Sequence, residues 1–142
     1  MALYGCMAGG GGAPQETTLW SNSYSGQFDE QDITLSDSID NYDYIKVTFN
    51  STYTSIRTNQ RSVIYSVPEF KTLLGSSGEV YYRDSASSPS FSDDGGYYSQ
   101  YIRTFYYVPS TGKIHFKQAF DVYNKSVKVT RAIPLSIVGI KL

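Results

Sequence analysis

Tyr44-Ile45-Lys46-Val47-Thr48-Phe49-Asn50 places Ile45, Val47 and Phe49 on one side of an extended chain, with Tyr44, Lys46, Thr48 and Asn50 on the other. An apolar residue at every second position is the period of a strand with one face on a core. Working outward, Lys113-Ile114-His115-Phe116 repeats the pattern. Extended through 122, strict alternation puts Ile114, Phe116, Phe120 and Val122 on one face and Lys113, His115, Lys117 and Asp121 on the other. Val63, Tyr65 and Val67 alternate with Ser62 and Ser66, and Val127 and Val129 alternate with Ser126, Lys128 and Thr130. Further strands are expected over 17–20, 27–35, 79–83, 97–108 and 133–142. In the last of these the apolar phase changes near Gly139, which predicts a bulge or a strand buried on both faces.

Between these runs lie turn-forming clusters at 21–26, 36–41, 75–78, 93–96, 109–112 and 124–125, rich in Gly, Asn, Asp, Ser and Pro. The single helical candidate is 67–74, with Pro68 in a first turn and Gly75 as a stop. Nine short strands so punctuated predict an all-β fold, an antiparallel β-sandwich of jelly-roll-like form, with a closed barrel as the alternative. The chain of 142 residues is long enough for one core. Residues 16–142 are expected to form a single β-sandwich head domain. Residues 1–15, with four consecutive glycines at 9–12, form an extended N-terminal segment whose backbone entropy opposes ordering without a partner.

Composition narrows the chemistry. A net charge of -1 gives no electrostatic footprint for nucleic acid or an anionic membrane. No segment reaches the roughly 18 apolar residues a membrane span needs. Cys6 is the one cysteine, so no intramolecular disulfide and no Cys-based zinc motif is available. Leu3-Tyr4-Gly5-Cys6 has the local form of a lipobox, but no basic or apolar stretch of useful length precedes it. His115 is the one group that titrates near neutrality unperturbed, and its place between Lys113 and Lys117 suggests an exposed surface histidine. Asp37, Asp40 and Asp43 recur every third residue without the spacing of a calcium loop and read as turn caps. The expectation is no enzyme, no cofactor and no metal.

The chain has 14 tyrosines and seven phenylalanines, and tyrosine supplies large contact area at small entropic cost. Tyr97 and Tyr101, on one long strand, and Phe91, central to the polar connection 84–96, are the candidate ligand-binding residues. Leu3, Tyr4 and Met7 are the candidate anchors of the N-terminal segment on a partner.

The frame Glu16-Thr17-Thr18-Leu19-Trp20-Ser21-Asn22, then Ile33-Thr34-Leu35-Ser36, Tyr42-Asp43-Tyr44-Ile45-Lys46-Val47 and Ile137-Val138-Gly139-Ile140-Lys141 resembles small tail-fibre and appendage domains of tailed bacteriophages. The resemblance implies a virion structural protein located in the virion. It also implies a sandwich head displayed as a homo-oligomer, favouring a trimer, that docks on other virion proteins through its N-terminal segment and takes host surface glycan as a ligand. No long repetitive shaft is present, so a short anchor plus one head fits better than a whole fibre. The alternative class is a free carbohydrate-binding or adhesin module outside any virion.

Overall fold

The computed structural model describes residues 13–22, 27–50, 60–74, 80–84, 101–121, 125–127 and 129–142. Its strands are β1 (Gln15–Ser21), β2 (Gln31–Ile33), β3 (Tyr44–Asn50), β4 (Gln60–Ser66), β5 (Val80–Asp84), β6 (Tyr101–Val108), β7 (Lys113–Asp121) and β8 (Ile133–Lys141). They make two four-stranded sheets, ordered β1-β8-β3-β4 and β2-β7-β6-β5. Every pairing is antiparallel. The fold is all-β, and two separate sheets replace the closed-barrel alternative.

One apolar core lies between the sheets. Ile45, Val47, Phe49 and Ile137 of the first sheet meet Ile33, Ile114, Phe116 and Phe105 of the second. Phe49 bridges the layers, its ring 5.7 Å from Phe105 and 6.3 Å from Phe116. The expected inward face of β3 is therefore the observed one. The 67–74 segment begins as a turn of α-helix, Val67–Glu69, and continues as a π-helical turn, Phe70–Leu74. Ser66 caps it by accepting the Glu69 amide proton at 3.2 Å, and Pro68 sits in the first turn, where a missing N–H costs nothing. The turn drives Phe70 into the core, fully buried against Tyr65, Phe105 and Tyr107.

β7 departs from strict alternation. Arg103 pairs with Ala119 but Phe105 pairs with Phe116, so Lys117 and Gln118 together oppose Thr104. This two-against-one bulge turns the later residues over. Ala119 and Asp121 become buried and Phe120 moves to the half-buried side, which corrects the expectation that Phe120 shares a face with Ile114 and Phe116. β8 carries a bulge too, at Leu135 rather than Gly139: Thr48 pairs with Ser136 and Phe49 with Pro134. Beyond it Ile137, Val138, Gly139 and Ile140 are all buried, so β8 is covered on both faces as the phase change suggested. Gly139 is required by close approach, since a Cβ there would lie 2.6–2.8 Å from three ring carbons of Tyr42.

Other expectations change. The anticipated strand around Val127 and Val129 is a single bridge, Phe120 to Val127, and Val127 is 58% exposed. Lys125 and Ala132 both take positive φ on either side of it, and such residues belong to turns. The 27–35 strand contracts to β2 because residues 28 and 36 bond elsewhere: the Phe28 amide donates to Val129 O and the Ser36 amide to Leu19 O. The 97–108 strand is described only from Tyr101. The 109–112 turn closes as expected, with Gly112 at φ +74.

A cleft beside Trp20 and a histidine held by two carboxylates

Leu3, Tyr4, Met7, Phe91 and Tyr97 lie outside the described residues. Tyr101 lies within them and is 2% exposed. The Arg131 guanidinium covers its ring at 4.9 Å. Its aromatic face is thus engaged inside the chain, in contrast to the open ring that a ligand platform requires.

Behind Tyr101, on the same edge of the core, β6 turns Arg103 inward. Its side chain is fully buried, and its guanidinium donates to Ala132 O at 2.8 Å, Lys117 O at 2.9 Å and Arg131 O at 3.1 Å. One of these acceptors is the carbonyl of the β7 bulge and the other two lead into β8, so one side chain ties together two elements of opposite sheets. Burial pushes its pKa down to about 10, with the negative charge of Asp29 acting in the opposite sense. The group remains a cation at neutral pH and lies over the Phe28 ring at 5.2 Å.

Phe28 links this tie to the surface. Its ring stands edge-on to Trp20 at 6.0 Å and to Phe116 at 5.5 Å. Above it opens a cleft of about 390 Å³, lined by Trp20, Ser21 and Asn22 from the end of β1 and by Gln27, Phe28, Asp29 and Gln31 leading into β2. Trp20 is half-buried, its inner part packed in the core and the rest on the cleft. The Asn22 carboxamide donates to Pro134 O at 3.0 Å, and that of Gln31 to Asp29 O at 3.1 Å. These bonds hold two polar walls in fixed orientations. The sequence marks Trp20 as the one tryptophan, but what it faces depends on strands distant in the chain.

On the outer side of β2 and β7 sits His115. Asp32 is its cross-strand partner. Nδ1 lies 2.6 Å from Asp32 Oδ1 and Nε2 2.8 Å from Glu30 Oε2, and the Tyr106 ring stacks on the imidazole at 5.1 Å. The side chain is 19% exposed, which corrects the expectation of a freely exposed surface histidine. Burial pulls its pKa down, but the hydrogen bonds and charges of Asp32 and Glu30 outweigh that, and the net direction is up from the ordinary value of 6.5. Both nitrogens are committed, leaving none as a general base. They also point away from each other, so the two carboxylates cannot converge with the ring on one ion. Among the described residues no three His, Cys, Asp or Glu side chains are placed to hold a metal.

The acidic triplet is spent locally. Asp37 accepts from the Ser38 amide, Asn41 and the Tyr42 hydroxyl, and the Tyr42 bond leads in holding its carboxyl below the usual range. Asp40 pairs with Lys71 at 2.6 Å. Asp43 accepts the Leu142 amide proton at 2.8 Å. Among the described residues no helix is long and apolar enough to cross a membrane.

No known family model and no curated protein matches the chain.

Proposed function

We propose that the chain is a structural protein of a tailed-bacteriophage particle: a small β-sandwich head carried outward as an appendage, docked through its N-terminal segment and binding host surface glycan. The observation that carries this reading is spatial. The four stretches of the phage-appendage resemblance, dispersed from Glu16 to Lys141, gather in and beside one sheet. Glu16 and Tyr44 both pair with Ile140, Ile45 pairs with Gly139 and Val47 with Ile137, while the Ser36 amide bonds Leu19 O. A frame that reassembles around a central strand is what a shared fold would leave in sequence.

The topology supports a jelly-roll-like assignment for half of the strands. β1 pairs with β8 and β2 with β7, the nested pattern of a long hairpin rolled upon itself, whereas β4, β5 and β6 pair with sequence neighbours. Homo-oligomerisation, with a trimer favoured, draws support from the outer face of the first sheet. There Ile64 is 41% exposed, across Lys46 from Val138, and β1 and β4 form that sheet's edges. The second reading, a free carbohydrate-binding or adhesin module, is favoured by the Trp20 cleft, which needs no particle to function.

Quantitative mass spectrometry of gradient-purified particles separates the two readings. A particle component co-purifies at a fixed copy number relative to the capsid protein. A chain found in the lysate and depleted from particles is a free module.

A further inference from the structure

We infer that the cleft beside Trp20 is a saccharide subsite that takes a neutral pyranose ring. Its volume of about 390 Å³ falls at the small end of the roughly 300–1,000 Å³ of ligand sites, suited to one or two sugar units. A sugar ring presents an apolar C–H face and a girdle of hydroxyls. The cleft offers the complement to both: the outer part of an indole, then the Ser21 hydroxyl, the carboxamides of Asn22, Gln27 and Gln31, and the Asp29 carboxylate. Carboxamides both donate and accept, and a carboxylate accepts from two hydroxyls at once.

Charge selects the class further. Among the described residues lining the cleft, Asp29 is the only ionisable one. Asp29 repels an acidic or phosphorylated sugar at contact range, and although the buried Arg103 cation interacts with Asp29 from below, its three nitrogens each donate to a backbone carbonyl. The floor is also rigid. Phe28 is wedged between Trp20, Phe116 and the Arg103 cation, and the Asn22 and Gln31 side chains are held by backbone carbonyls. The floor and these two side chains have little freedom to lose on binding, which favours binding of a small ligand in the millimolar range.

The inference deepens the glycan-binding part of the proposed function. It is tested on the purified chain, so a failure to bind sugar leaves particle membership to be decided separately by mass spectrometry. Trp20 is the single tryptophan, so the one indole N–H resonance in a ¹H–¹⁵N spectrum reports this cleft directly. The probes are glucose, galactose, mannose, rhamnose, N-acetylglucosamine and N-acetylgalactosamine, with glucuronic acid as the acidic counterpart. At least one neutral sugar is expected to shift the indole resonance saturably, with glucuronic acid weaker. Asp29→Ala should weaken that binding about tenfold or more, the usual cost of a lost charged hydrogen bond. Gln27→Ala, an exposed position, should weaken it severalfold with an unchanged spectrum elsewhere, so the test survives if the Asp29 variant folds poorly. No saturable shift with any neutral sugar overturns the inference. Binding that is indifferent to both substitutions, or tighter for glucuronic acid, overturns it as well.

Discussion

Replacing Arg103 with methionine keeps an unbranched apolar stem that reaches about as far as Nε and removes the donors. Three backbone carbonyls, those of Lys117, Arg131 and Ala132, then lose bonds of 2.8–3.1 Å. A buried acceptor deprived of its donor costs about 1–3 kcal/mol, so the two buried ones, of Ala132 and Arg131, set a range of about 2–6 kcal/mol, and the part-buried Lys117 carbonyl adds less. Two effects reduce it. The guanidinium no longer has to be buried, a burden visible in a pKa pushed down to about 10, and methionine fills much of the volume. The net loss is expected at about 3 kcal/mol. With an m-value of about 1–3 kcal/mol/M in urea, that lowers the unfolding midpoint by about 1–3 M. The loss also has an address: amide exchange should accelerate first around the β7 bulge and the entry to β8, because the tie joins those two places. A midpoint within about 0.3 M of the unchanged chain at equal m, without local acceleration of exchange, would refute the view that Arg103 joins the sheets.

Gly139→Ala is expected to cost about 1–3 kcal/mol by overpacking against the Tyr42 ring, 2.6–2.8 Å from the new methyl. In a Tyr42→Ser background the same change should be near neutral in urea unfolding, and an undiminished penalty there would show that the ring is not the obstacle. His115 has a folded-state pKa above its ordinary 6.5, so its stabilising effect is complete below about pH 6.5 and fades as pH rises through the raised value. The melting-temperature advantage of the unchanged chain over His115→Gln should therefore shrink from pH 6 towards pH 8, and a growing advantage would contradict the direction of the shift. Glu30, Asp32 and Tyr106 are the titratable groups shown in contact with the ring, with Lys113 and Lys117 two positions away on β7, and Asp32→Asn should lower the histidine pKa read by NMR. Deleting residues 1–12 should leave the melting temperature within a degree or two and abolish incorporation into particles, and packaging at normal copy number would move docking onto the sandwich.

Alternation made β3 legible because nothing interrupts it: Ile45, Val47 and Phe49 all reach the core. The helical turn was legible from Pro68, which acts locally; the Ser66 cap was not read. Where the backbone adds a residue, parity fails. Lys117 and Gln118 look like ordinary alternating positions, and only the opposing Thr104 reveals the bulge that turns Phe120 outward and Asp121 inward. Arg103 shares parity with Tyr101 and Phe105, so its inward direction could have been read from the strand; the carbonyls it binds could not. Val127 and Val129 have strand propensity, but the positive φ values of Lys125 and Ala132 prevail around them. The sites were least legible. His115 meets carboxylates 83 and 85 residues away, and Trp20 acquires a cleft only when β1 ends beside the segment entering β2.

The central claim is that this sandwich is displayed on the outside of a particle, and labelling of intact particles with antibody raised against residues 13–142 tests it most directly. The expected result is label at a defined site on the exterior of undisrupted particles, at the same position from particle to particle. Label that appears only after the particles are broken open, or no label on particles that contain every other structural protein, would contradict it.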